Sequence, residues 1–389
     1  MKARNLALGA AAGFGTGYAL VRAIQAWKLL QAPPAASSGD AAAYGRRRRA
    51  IAACGVLRSL AGTAAFAFGP LAARTSCSFA RLPRWARPGA YFGAVAAAGM
   101  LFELPVEFVE EYALERSYGL SEQRASAWGT DALKSMALNA ALASAIGLIG
   151  GVAFRRFPKT WPFAASAGLL PLLVLGNVVV PLYILPLFNA FEPLHGPLET
   201  RLRSLASRFD VGDAEILRMD MSRQTKKANA FVTGIGSTHR IVLGDTLIDR
   251  FEANEIEFVV AHELGHYVGK DTWRLIAVSE ICALLLFFAA SAAVKVERDD
   301  DSTALMRVYA YLSSGLFLLQ PAINAFSRSR EWAADRFALA ATNAPISGAA
   351  AFRRLRDQNL AEDEIPAWYE FFFGSHPSLG KRISALEHS

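Results

Sequence analysis

Seven stretches of this chain are too apolar to rest easily in water: residues 5–21, 51–73, 88–104, 135–154, 161–191, 275–294 and 308–327. In hydrocarbon every backbone N–H and C=O must find its partner inside the segment, so a single stretch that crosses must be a helix. A crossing takes about 20 residues. This constraint predicts a mainly α, multi-pass membrane protein with about seven spans. Residues 5–21 could be the core of a signal peptide, but the further apolar runs favour a retained helix. Pro171, Pro181 and Pro186 should bend the run at 161–191 as it leaves the membrane. Residues 31–45, rich in Pro, Ala, Ser and Gly, read as a loop, and the acidic residues 107–131 as a solvated one. Glu280 is an intramembrane acid, either functional or facing a cavity or the interface.

Composition agrees. The chain is 53% hydrophobic and 19% charged over 389 residues, more apolar than two or three soluble domains of that length would be. Its net charge of +7 gathers at the ends of apolar runs, as in Arg46-Arg47-Arg48-Arg49. That pattern suits membrane-flanking anchors better than a phosphate-binding groove, so no nucleic-acid partner is expected. The basic run favours a cytoplasmic first loop, which would place the long stretch after the fifth run and the C-terminus in the cytoplasm if all seven runs span. Arg74, Arg81, Arg84 and Arg87 pull the other way. Cys54, Cys77 and Cys282 are scattered and form neither a disulfide framework nor a metal cluster.

Between the fifth and sixth runs lies the first long soluble part. Leu198, Leu202, Leu205 and Phe209 recur at helical spacing, behind a proline placed for a first turn. A strand is expected near 216–219. The stretches 228–232 and 240–243 flank a Gly-containing link and should form a β-hairpin. Then comes His262-Glu263-Leu264-Gly265-His266, expected on a helix that starts near Asn254, with Glu257 three residues on as an imitation of a capping box. Histidines four apart share one helical face and can reach one metal ion. Glu263 lies beside them, where a general base takes a proton from attacking water. The bland alternative is two ordinary helix histidines, but the chain has only 6 histidines in all.

A catalytic site of this kind needs a third ligand. The last two apolar runs make a hairpin that returns the chain to the side of the motif. Just past it stand Glu331 and, one helical turn on, Asp335. Glu331 is the candidate third ligand, and Asp335 could accept a proton from the outer nitrogen of a ligating histidine. The two acids could equally balance Arg328, Arg330 and Arg336 on a solvated helix.

The ordered motifs resemble those of the CAAX prenyl protease 1 family of integral-membrane zinc metalloproteases. They are Glu115-Arg116-Ser117-Tyr118-Gly119-Leu120, Leu187 through Leu194, Asn229-Ala230-Phe231, the HELGH run, Asn324, Ser327-Arg328, Glu331, Asp335, His376-Pro377 and Arg382. Trp332 and Ser378 depart from the usual pattern without touching a ligand. The resemblance implies a zincin-like peptidase with one Zn²⁺ held by His262, His266 and Glu331, and Glu263 as base. It further implies that Asn229 and Ala230 belong to an edge strand that binds the peptide substrate, and that His376 and Arg382 stabilise the oxyanion. Read alone, His376-Pro377 is only a helix start. Substrates of the family include proteins with prenylated C-terminal CAAX sequences. The expected units are 1–192 (membrane), 193–272 (peptidase with the motif helix), 273–327 (membrane hairpin) and 328–389 (peptidase with the third ligand). The expected location is a cell membrane in a bacterium or the endoplasmic reticulum membrane in a eukaryote. A quality-control protease of the HtpX type shares the zinc motifs but has fewer spans. A non-hydrolytic membrane protein could retain a metal site, yet would have no need of Glu263.

Overall fold

The computed structural model describes residues 40–234, 238–295 and 301–389. The apolar run at 5–21, most of the 31–45 stretch, the hairpin tip at 235–237 and most of the acidic link before α9 lie outside the described residues. In the membrane half, α1 (Asp40–Phe68) and the short α2 (Pro70–Ser78) precede α3 (Arg87–Glu107), α4 (Ala125–Arg156) and α5 (Trp161–Val179). The second half follows. It contains α6 (Pro197–Ser207), the motif helix α7 (Ala253–Val268), α8 (Asp271–Ala293), the long α9 (Asp301–Thr342), α10 (Pro345–Gln358), α11 (Ala367–Phe373) and α12 (Leu379–Glu387).

Five helices among the described residues are long and apolar enough to cross a membrane: Ala41–Phe68, Arg87–Ser117, Ala125–Arg156, Trp161–Leu187 and Asp271–Ala293. Their surfaces carry exposed apolar side chains such as Leu57, Phe102, Leu175, Ile281 and Leu285, which suits contact with lipid rather than water. The expected run 308–327 is helical and lies within α9, but it does not reach the apolarity of the other five. Gln320, Pro321 and Asn324 dilute it.

Three expectations change. Residues 40–45 begin α1 rather than ending a loop, and the basic run Arg46–Arg49 lies on that helix. There Arg48 pairs with Glu111 at 3.1 Å and Arg49 with Glu362. The acidic stretch 107–131 is not a solvated loop. After Pro105 removes a backbone donor, α3 widens into a π turn, Phe108–Ala113, and a last helical turn, Leu114–Ser117. Glu110, Glu115 and Asp131 are all buried there. Buried carboxylates need partners, and Asp131 receives hydrogen bonds from Gln123 at 2.9 Å, Arg223 at 3.0 Å and Gln224 at 3.1 Å. The third change is the start of α7. Its cap is Glu252, with Glu255 closing a capping box, two residues before the expected Asn254. The prolines of the fifth run do end its helix, through a π turn containing Pro181 and a 3₁₀ turn containing Pro186. Glu280, on α8, accepts a hydrogen bond from Ser166 of α5.

The second half carries a four-stranded sheet in the order β1-β2-β4-β3, from β1 (Phe191–Pro193), β2 (Glu215–Met219), β3 (Ala230–Thr233) and β4 (Arg240–Gly244). Strands β2 and β4 are parallel, and the other two pairs antiparallel. The expected hairpin is β3–β4, and β3 is a sheet edge packed against α7. A core of Leu202, Leu205, Ile216, Ile241, Leu243, Ile256, Phe258 and Phe352 joins sheet and helices. Helix α7 crosses α9 closely at Gly265. A Cβ there would meet the Ala334 Cα at 3.0 Å and the Phe337 Cβ at 3.2 Å. Replacing Gly265 by Val should therefore push α9 away, destabilise the protein by about 1–3 kcal/mol and lower its metal content although every ligand is intact. Thermal unfolding and elemental analysis of the purified variant read both effects.

Candidate metal centre

Three side chains converge where α7 meets α9. His262 and His266 project from one face of α7, and Glu331 reaches them from α9. Their candidate ligand atoms all lie within 4.8 Å of one another. The Nε2 atoms of the two histidines are 3.2 Å apart. Glu331 Oε2 lies 3.4 Å from His262 Nε2, and Oε1 lies 3.3 Å from His266 Nε2. A tetrahedral ion with bonds of about 2.0–2.1 Å separates its ligands by about 3.3 Å; the two histidine Nε2 atoms stand at that separation, and each has one oxygen of the Glu331 carboxylate at a similar distance. Glu331 Oε2 is buried and, among the described residues, makes no hydrogen bond, as suits an atom reserved for a cation. This is a His-His-Glu cluster of the kind that holds zinc.

Around it lies a shell that fixes each imidazole. Asp335 Oδ1 accepts from His262 Nδ1 at 2.9 Å, which leaves Nε2 for the metal. Asp271 Oδ2 does the same for His266 Nδ1 at 2.9 Å. Asp271 in turn accepts from Arg330 at 2.6 Å. Asp271 was not among the residues singled out from sequence; its signal is an acid five residues beyond His266, at the first position of the next helix. Asn324 Nδ2 donates to the Phe372 carbonyl at 2.8 Å, and Arg328 to the carbonyls of Glu370 at 2.8 Å and Gly374 at 2.6 Å. Those bonds tie α9 to the segment that carries His376.

Arg382, buried on α12, holds Asp335 with two hydrogen bonds of 2.8 and 2.6 Å and lies over the Phe352 ring, 4.1 Å from its centroid. Its Nη1 is 3.5 Å from Glu331 Oε2. His376 Nε2 lies 3.2 Å from Glu331 Oε1, and its side chain is 62% exposed, so it borders open space beside the cluster. Glu263 is half-buried next to His262. Asn229 is exposed immediately before β3, and its carbonyl accepts from the Gly244 N–H at 3.0 Å. Ala230 has its methyl in the core, so it offers only backbone. The structure thus gathers His262, His266, Glu331, Asp335, Arg382 and His376, with β3 on the flank of α7.

Charge follows geometry. Burial would lower the His266 imidazole, but its contacts with Glu331 and Asp271 outweigh burial and push it up to about 9. His262 is raised for the same reason, by Asp335 and Glu331 against burial. Burial would raise Glu331, yet the two imidazoles hold it well below the usual carboxylate range. Glu263 goes the other way: burial pushes its carboxyl up, opposed by the histidines. An upward shift moves a carboxylate toward the neutral range in which a general base works best.

Comparison with known proteins agrees with this arrangement. The model for peptidase family M48 matches residues 194–389, and the model described as the CAAX prenyl protease N-terminal region, five membrane helices, matches residues 41–190. A Bacillus subtilis protein named uncharacterized metalloprotease YhfN is 27% identical over 328 residues, 79% of this chain and 77% of its own. CAAX prenyl protease 1 of Saccharomyces cerevisiae is 26% identical over 327 residues, 77% of this chain and 71% of its own. The crystal structure of S. mikatae Ste24p superposes with a TM-score of 0.80 at 23% identity, covering 96% of this chain and 97% of that one.

Two outcomes follow from the geometry. Glu331→Ala should lose most of its bound metal, read by elemental analysis; retention as tight as wild type would remove Glu331 from the cluster. A metal ion must also displace the proton that Glu331 and Asp271 keep on His266 up to about pH 9. Below that pH the proton competes, so this histidine alone should make the zinc affinity of metal-free protein rise about tenfold per pH unit from pH 6 to 9, and the raised His262 steepens the rise where it too is protonated. Competitive zinc titration measures it, and a flat profile would contradict the proposed protonation.

Proposed function

The chain belongs to peptidase family M48, in the branch that carries the CAAX prenyl protease N-terminal region, and on that footing we propose that it is a zinc endopeptidase trimming prenylated proteins near a C-terminal CAAX sequence. It is an integral, multi-pass membrane metalloprotease. The observation that carries the reading is the cluster of His262, His266 and Glu331, with Glu263 next in sequence to His262 on the same helix. A zinc ion held by those three residues would supply Lewis acidity, polarising the scissile carbonyl and making water nucleophilic at neutral pH.

The protein's own groups do the rest. Glu263 accepts a proton from the attacking water and delivers it to the leaving amine. Asp335 and Asp271 each hold one histidine in the tautomer that presents Nε2. His376 borders the open side of the cluster, where its Nε2 can donate to a developing oxyanion. Arg382 spends two donors on Asp335, so we assign it first to holding that carboxylate, with Nη1 left toward Glu331. Strand β3 has a free edge onto which an extended peptide can add by main-chain hydrogen bonds. Asn229 and the Ala230 backbone stand at its start.

The preference for prenylated CAAX proteins rests on the names of relatives such as CAAX prenyl protease 1 of Saccharomyces cerevisiae. In the same reading, residues 5–21 and 308–327 add two crossings to the five, giving seven. The units 1–192, 193–272, 273–327 and 328–389 then alternate between membrane and peptidase.

Glu263→Gln should keep its zinc and lose about 10²–10⁴-fold in kcat/KM. Undiminished cleavage by that variant would overturn the mechanism. Mass spectrometry of fragments from matched peptides, with and without a prenyl group, tests specificity. The prenylated member should be cut within its last few residues and faster; equal rates would remove the preference.

A further inference from the structure

The segment that leads into β3 is bolted to the membrane half. Residues 225–229 have no regular helix or strand, yet they are bonded almost residue by residue. The Lys226 N–H donates to the Leu120 carbonyl at 2.7 Å, and Thr225 Oγ1 to the same oxygen at 3.2 Å. Ser121 Oγ donates to the Gln224 carbonyl at 2.6 Å. On the peptidase side, Thr246 Oγ1 donates to the Lys227 carbonyl at 2.8 Å. Asn359 clasps Ala228 at both its N–H (2.9 Å) and its carbonyl (3.3 Å).

The partner on the membrane side is the run Glu115-Arg116-Ser117-Tyr118-Gly119-Leu120, whose residue types now have physical reasons. Gly119, at φ +71°, ends the helix in the left-handed conformation. The Gly119 N–H donates to the Arg116 carbonyl at 3.0 Å, and the Leu120 N–H to the Glu115 carbonyl at 2.9 Å. This is a Schellman turn, and it leaves the Leu120 carbonyl free for Lys226. Tyr118 packs edge-to-face on Tyr44, with centroids 5.1 Å apart. Glu115, 8% exposed, accepts a hydrogen bond from Tyr44 and pairs with Lys227 Nζ at 2.8 Å. Lys227 Nζ also donates to the Tyr44 hydroxyl at 2.8 Å. One ammonium thus joins α1, the end of α3 and the residue two positions before Asn229.

The pair is buried at Glu115 and half-buried at Lys227, and an ion pair taken out of water is an inefficient way to gain stability but demanding in geometry. Removing the Lys227 side chain leaves the bonds of the 227–228 backbone to the peptidase core in place, so β3 stays folded. What it loses is the side-chain tie to Tyr44 of α1 and Glu115 at the end of α3; the bonds of 224–226 to Leu120 and Ser121 remain, as hinges about which the strand can shift.

We infer that Lys227, clamped by Glu115 and Tyr44, is a positioning residue for peptide binding: it sets the place of edge strand β3 relative to the membrane half. The inference rests on the reading of β3 as the peptide-binding edge.

The test uses the full-length protein in detergent or nanodiscs. Lys227→Met should raise KM for a cleaved peptide on the order of tenfold to a hundredfold, with kcat within about threefold and zinc content unchanged. Lys227→Arg should recover part of the loss. Glu115→Gln combined with Lys227→Met should add much less than Glu115→Gln does alone, because the Lys227 pair is already broken and only the bond from Tyr44 remains to be changed. Tyr44→Phe should shift KM the same way by less. An unchanged KM in folded, zinc-replete Lys227→Met overturns the inference, as does a parallel fall of zinc content and kcat. If Lys227→Met does not fold, Tyr44→Phe decides, and an unchanged KM there has the same force. Peptide affinity in the Glu263→Gln background separates this inference from the proposed function. Wild-type protein that cuts no peptide refutes the function. In the inactive background, weakened binding by Lys227→Met supports the clamp, and unchanged binding removes it.

Discussion

The metal centre depends on how closely one helix passes another. At Gly265 the absence of a side chain lets α9 approach until Ala334 touches the backbone of α7. That approach places Glu331 within about a hydrogen-bond length of both histidines, at 3.3 and 3.4 Å. Two opposing demands meet there. Burial strengthens every interaction between charges and penalises every unpaired one. The protein satisfies both by alternation: Arg330 faces Asp271, Asp271 faces His266, Arg382 faces Asp335, and Asp335 faces His262. Each imidazole is gripped from outside by a carboxylate that is itself gripped by an arginine. The carboxylate between the imidazoles is left to be matched by a cation.

Local features were readable from sequence, and those settled by distant contacts were not. The spacing of His262 and His266 is a property of one helix, so it could be read directly. The β3–β4 pairing followed from two strand-like runs around a glycine-bearing link. Glu331 could be named only as a candidate, because its place depends on α8 and α9 folding back together. The acid-rich stretch after α3 illustrates the limit. Carboxylates such as Glu115 and Asp131 look solvated until the groups that neutralise them are known, and those groups, Lys227 and Arg223, lie far along the chain. The cap of α7 erred on a smaller scale: Asn is the better capping residue in isolation, yet the chain enters the helix two residues earlier, at Glu252. Asp271 escaped notice because an acid in the first turn of a helix already has an ordinary explanation.

The peptidase half is thus not a soluble enzyme appended to an anchor. Its edge strand takes its bearings from α1 and the end of α3, and its last helix supplies the arginine behind the first histidine. The segment with His376 is fastened to α9 through Asn324 and Arg328. Membrane and catalytic parts share side chains rather than a hinge.

The interposition of α8 between the histidines and Glu331 has a consequence for how such a protein comes into being. His262 and His266 precede an apolar helix of 23 residues, Asp271–Ala293, and Glu331 follows it on the next helix. A newly made copy in which that helix goes astray holds two ligands on one side and strands the third elsewhere. Such a copy is inert instead of misdirected. Assembly of the metal centre is therefore tied to the placement of the apolar helix that separates its ligands in the chain.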